Sequence, residues 1–319
     1  MRRLVIAGLI TAAAWCGPAR AADAVAESLA AGWENYRLNE FDRALRFFTE
    51  ALQQAPAGSE SHLQALYGLG TTWNLRRPGE DREKAAGYYR QIMDAAPEGD
   101  VGAWTALALA RIQHLVPVGE EPDLHAVRRA YREVMTRYPG HLAAKEAFIY
   151  SMSTYIATLE EAQTRYAIAN LQRFVRQPGA REFVQPAWSL MAVGHTTLKE
   201  PELRLRAEIM SLKTTEVDPS NPFNEFAWAY WNIATVAEFE VGDFATARAY
   251  YQRLLREYPN DIRVFGVKQA LKRMDDLEAG MRKGDARLET RDLKSDRTAR
   301  VSKSASPISN LQSPVSISP

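Results

Sequence analysis

The stretch GDFATARAYYQRLLREYP, residues 242–259, decides the fold. Read as a helix, it sets Ala247 and Tyr251 four apart, with Leu254 and Leu255 a turn further on. A small residue, an aromatic and two leucines then share one stripe. Gly242 and Asp243 suit the end of one helix and the N-cap of the next, and Pro259 forbids continuation. One amphipathic helix says little about function, but a recurring one specifies an architecture.

The pattern does recur. Prolines that close an amphipathic segment stand at Pro56, Pro97, Pro139, Pro178, Pro219 and Pro259, separated by 41, 42, 39, 41 and 40 residues. Such a period signals stacked supersecondary units. FDRALRFFTEALQQAP repeats the spacing as Ala44, Phe48, Ala51 and Pro56; EKAAGYYRQIMDAAP repeats it as Ala85, Tyr89, Ile92 and Pro97. HAVRRAYREVMTRYP follows with Val127, Tyr131, Val134 and Pro139. The segments before Pro178 and Pro219 are looser, and Ser211 stands where the aromatic belongs. An earlier helix precedes each of these, marked by LYGLG (66–70), WTALA (104–108), WSLMA (188–192) and WNIAT (231–235), and in part by AAGWENY (30–36). Each unit is thus helix, turn, helix, with small residues letting the helices approach and aromatics filling the space between units.

This pattern resembles the tetratricopeptide repeat family over about residues 25–262, most fully in Trp231 to Pro259. The family's unit is about 34 residues, and the excess here falls between paired helices, in RRPGED (76–81) and VPVGEEPD (116–123). The second unit, YGLGTTWNLRRPGEDREKAAGYYRQ, is also similar to Sel1-type repeats. The expected fold is all-α: a right-handed superhelical solenoid of about six repeats over residues 22–262. Residues 263–283 are expected to form a capping helix with a polar outer side carrying Lys268, Lys272, Arg273, Asp275 and Asp276. Residues 284–319, ending in the Ser- and Pro-rich SASPISNLQSPVSISP, read as a disordered tail.

Residues 1–21 have the three parts of a secretory signal. Met1-Arg2-Arg3 is basic, Leu4 to Trp15 is apolar, and Ala19-Arg20-Ala21 offers a small-x-small cleavage site. A periplasmic or secreted mature chain beginning near Ala22 is therefore expected. Cys16 is the one cysteine, and the bulky Trp15 before it argues against a lipid anchor. No later stretch is apolar enough to span a membrane, and a net charge of +1 gives no reason to expect nucleic-acid binding.

Catalytic and metal signatures are lacking. His62, His114, His125, His141 and His195 show no i, i+4 pairing and no HExxH, and neither GxSxG nor GxxxxGKS occurs. The acidic loop Glu120, Glu121, Asp123 lacks the pattern of a calcium loop. No cofactor, metal or catalytic residue is expected. The resemblance implies a non-catalytic interaction scaffold that holds a protein or peptide segment in a concave groove lined by the first helices. Helical phase places Trp33, Tyr36, Arg37, Tyr67, Asn74, Leu109, Ile112, Asn232 and Phe239 there, each of the aromatics competing for a place in the inter-unit core. The family's Lys/Asn clamp for a terminal carboxylate is missing, since Leu29, Trp33, Gly68, Gly102 and Ala106 occupy matching positions. The alternatives are an envelope enzyme, or its accessory subunit, acting on peptide or glycan, and self-assembly through the tail.

Overall fold

An aromatic side chain can enter a helix–helix interface only where the facing residues are small, and the marker positions satisfy that condition. In the computed structural model, which describes the backbone of residues 18–74, 79–215 and 226–281 and side chains from residue 23 onward, the described residues are helices joined by turns. The helix pairs are α1 (Pro18–Arg37) with α2 (Phe41–Gln54), α3 (Glu60–Trp73) with α4 (Arg82–Ala95), and α5 (Asp100–His114) with α6 (Leu124–Arg137). They continue with α7 (Leu142–Ile156) and α8 (Glu161–Phe174); α9 (Val184–Thr197) and α10 (Pro201–Thr214) come next in the chain, followed by the pair α11 (Ala227–Thr235) and α12 (Phe244–Glu257). A last helix, α13, spans residues 264–281. The apolar leader with Cys16, the first half of the RRPGED insertion, Pro219 and the tail from residue 284 lie outside the described residues. The proposed cleavage site at residues 19–21 falls in the first turn of α1, which opens with Pro18 at the position where a missing N–H costs nothing.

Two compact units divide the chain, Met1–Glu200 and Pro201–Pro319. The division falls inside what the proline period counts as the fifth pair. In the first unit, α1, α3, α5, α7 and α9 touch one another in chain order, and each second helix packs against the first helices on either side of it. The first helices therefore form one layer and the second helices another.

Phe48 is fully buried between α1 and α3, and a Cβ on either Gly32 or Gly68 would come within 2.5 Å of its ring. Tyr89 makes the same demand on Gly70, at 2.5 Å. Here glycine is required by close approach rather than by backbone angle. Tyr131 and Tyr251 fill the corresponding positions of their units and are completely buried, while Leu171 takes that position in α8.

Polar groups repeat the period between neighbouring pairs. The Tyr138 hydroxyl donates to the Pro97 carbonyl 41 residues away at 2.6 Å, and Arg137 reaches Glu98, 39 residues away, at 2.6 Å. Where the connection within a pair is short, the residue two before the second helix is left-handed: Asn39 (φ 63), Leu159 (φ 59), Lys199 (φ 56) and Gly242 (φ 77). Asp81, Asp123 and Asp243 accept backbone N–H groups at the starts of α4, α6 and α12, satisfying donors that the helix cannot.

In the second unit α11 runs on into a π-helical segment, Val236–Val241. The extra residue per turn carries Glu238 inward, where its carboxylate is almost wholly covered. The Tyr251 hydroxyl donates to it at 2.9 Å and Arg273 of α13 donates through Nε at 2.9 Å. Val267, Ala270 and Met274 of α13 are buried against α11 and α12, whereas Lys268, Lys272, Asp275 and Asp276 face solvent.

Candidate partner-binding strip

The layer of first helices in the first unit leaves a run of aromatic and polar side chains partly uncovered. Trp33 and Tyr36 begin it on α1. Trp33 meets Phe48 edge-on at 5.0 Å, so one side of the indole belongs to the core, and it also lies 6.2 Å from Tyr67 of α3. Tyr36 packs edge-on against Trp33 at 5.9 Å. Arg37 is exposed at the end of α1 and pairs with Glu34. Tyr67 lies 5.8 Å from the buried Tyr89.

The strip continues onto residues that their own helices do not advertise. Arg111 of α5 approaches Glu146 of α7 at 4.0 Å, with their side chains 33% and 26% exposed. The guanidinium also lies over the Tyr150 ring, 4.8 Å from its centre. Its Nε is buried without a hydrogen-bond partner, and the Tyr150 ring holds the guanidinium in place. Tyr150 in turn stacks on the buried Tyr131, at 5.9 Å and 16°. His114 closes the cluster, its Nδ1 2.8 Å from the Tyr131 hydroxyl.

Burial dominates the electrostatics of this surface. Burial, partly offset by Arg111, pushes the Tyr67 hydroxyl up to about 12. Burial likewise raises Tyr131 and Tyr150. These phenols stay neutral donors at physiological pH. Burial first, and then the Arg111 charge, lowers His114 below its ordinary value and favours neutral imidazole.

The remaining groove candidates from the sequence fall elsewhere. Leu109 and Ile112 turn toward the preceding pair and pack against the cluster containing Leu63, Tyr89 and Ile92. Asn74 is buried at the end of α3. Asn232 lies in the second unit and hydrogen-bonds Glu208, whose carboxyl is raised by burial. Phe239, also in that unit, is 65% exposed, with the Arg273 guanidinium 4.9 Å above its ring. Thus Trp33, Tyr36 and Tyr67 are brought together, Arg37 sits at their edge, and the other five are not part of the cluster. The residues missed were Arg111, Glu146 and Tyr150. The available signal was their spacing, since Arg111 and Glu146 lie about one unit apart.

Among the described residues no group of three or more His, Cys, Asp or Glu side chains could hold a metal ion. No helix there is long and apolar enough to cross a membrane.

Residues 227–261 match the tetratricopeptide repeat family model, and the helix pair α11 and α12 is a tetratricopeptide repeat. No curated protein sequence matches the chain. Among solved structures, the chain is similar to that described as the functional characterization of Pseudomonas aeruginosa pilF, at 14% identity and a TM-score of 0.47. That similarity covers 78% of this chain and 98% of the other. It is also similar to a chain of the APC/C hetero-tetramer Cut9-Hcn1, at 16% identity and a TM-score of 0.45, covering 77% of this chain and 43% of the other.

Proposed function

We propose that this protein is a non-catalytic interaction scaffold of the cell envelope or exterior, gripping a segment of a partner protein along the first-helix face of its first unit. The observation that carries the reading is the partly uncovered strip of Trp33, Tyr36, Tyr67, Arg111 and Tyr150. Large aromatics and an arginine are the residues that supply most of the binding energy at protein interfaces. The partly exposed Arg111 guanidinium suits a carbonyl or carboxylate of an extended or helical segment. The tetratricopeptide repeat at residues 227–261 supports a scaffold role.

The setting is supported by the leader, whose basic, apolar and small-residue parts follow the order of an export signal. Mass spectrometry of the protein isolated from its own cells tests this: the mature chain should begin at Ala22, near the proposed site. A chain retaining Met1 and fractionating with the cytoplasm would refute export. The grip itself is tested by exchanging Arg111→Gln, which should weaken partner capture about tenfold or more while leaving the helical content unchanged. Undiminished capture would remove Arg111 from the interface.

A further inference from the structure

On the side of the second helices, α6 and α8 flank a recess of about 380 Å³ floored by α7. Its apolar part is built by Met135 with Phe148 and Phe174, whose rings stack at 4.8 Å and 22°. Its polar part comprises Lys145, Asn170, Arg173 and Gln177, and no carboxylate lines it. The recess one pair earlier, between α4 and α6, carries Glu133 as well as Arg137. The cationic lining is therefore local, not a consequence of the repeat.

Both cations are steadied but unspent. Lys145 Nζ donates to the Gly179 carbonyl at 2.7 Å, leaving further N–H donors. Arg173 donates to Asn170 Oδ1 at 3.2 Å and weakly to the Ala169 carbonyl at 3.4 Å, again with donors left over. Arg132, a turn before Met135, and Arg176, a turn after Arg173, are exposed and add positive charge to the flanking helices.

We infer that this recess is a second docking site, for an acidic segment of a partner protein. One aromatic or aliphatic side chain rests on Phe148 and Phe174 while flanking carboxylates meet Arg173 and Lys145. Charge complementarity selects the acidic flanks, and the stacked rings select the apolar anchor. The recess shares α7 with the Trp33–Tyr150 strip but no residue, using Lys145 and Phe148 where the strip uses Glu146 and Tyr150, so substitutions at Arg173 and Arg111 separate the two sites.

The test is fluorescence anisotropy of the full chain with a labelled, end-blocked pentapeptide, one phenylalanine between two pairs of glutamates. Binding should weaken as salt rises from about 50 to 300 mM. It should fall about tenfold or more in Arg173→Glu and fall in Lys145→Gln, which lies on another helix. A peptide with serine for phenylalanine should bind correspondingly less. Circular dichroism of each variant separates lost binding from lost folding. The inference is overturned if Arg173→Glu, still folded, binds as before, or if the serine peptide binds equally. It is also overturned if anionic vesicles or RNA compete as well as unlabelled peptide. Loss in Arg111→Gln with none in Arg173→Glu would place the peptide on the strip and leave only the first-helix reading standing.

Discussion

Gly68 and Gly70 show what a single residue decides in this protein. They lie on one helix two positions apart, and each admits a different ring, Phe48 from the preceding pair and Tyr89 from its own. Gly68→Ala places a methyl where the Phe48 ring stands, and should destabilise the protein by about 1–3 kcal/mol through forced repacking. Gly87→Ala, on α4 with nothing within 4 Å of the added Cβ, should instead stabilise it by about 0.5–1 kcal/mol. Urea denaturation of the two variants checks the contrast; equal effects would mean that helix propensity, not close approach, explains both glycines. His114 gives the residue scale a pH dependence. Its folded pKa lies below the ordinary value, so the unfolded chain takes up a proton that the folded chain resists. Stability should fall as pH drops through about 6.5, and His114→Gln should remove that part of the slope. Urea midpoints at pH about 7.5 and 5.5 measure it, and an unchanged slope would show that His114 does not contribute.

At the scale of elements, the short turns are the most economical feature. Asn39, Leu159, Lys199 and Gly242 occupy one backbone state at one place, two residues before a second helix. Leucine is poorly suited to it, and Leu159 is 74% exposed, so its side chain packs on little. Relief of the left-handed strain exceeds the entropy that glycine adds, and Leu159→Gly should gain a few tenths to about 1 kcal/mol. A loss on thermal or urea unfolding would show that the leucine contributes packing. The helix pairs were legible in the sequence because Ala247, Tyr251 and Pro259 act locally: a small residue, a ring and a helix stop leave the same imprint in most units, with Leu171 and Ser211 replacing the ring in α8 and α10. The candidate strip was only half legible. Trp33, Tyr36 and Tyr67 announce themselves as aromatics on first helices. Arg111 and Glu146 each look like ordinary surface charges, and their meeting depends on how two helices 35 residues apart are stacked. Leu109 and Ile112 were assigned to the groove by phase, yet a first helix is flanked by a second helix on each side, so its apolar flank is claimed by the neighbouring pair. The π-helical turn that carries Glu238 inward has no marker in VAEFEV and could not be anticipated.

For the whole molecule, the two layers of the first unit have different tasks. The second-helix stretches, with Ala44, Phe48, Ala85 and Tyr89 buried, build the stack, and the first-helix layer presents the strip. The central claim is that this strip, and not the protein surface at large, contacts a partner. Site-specific photocrosslinking in the protein's own cells tests it most directly, with a photoreactive phenylalanine analogue replacing Tyr67 on the strip or Arg90 on α4, which is exposed on the other layer. The account predicts one recurrent adduct from position 67, lost when Arg111→Gln is added, and none from position 90. No discrete adduct from position 67, or the same adduct from both positions, would contradict it.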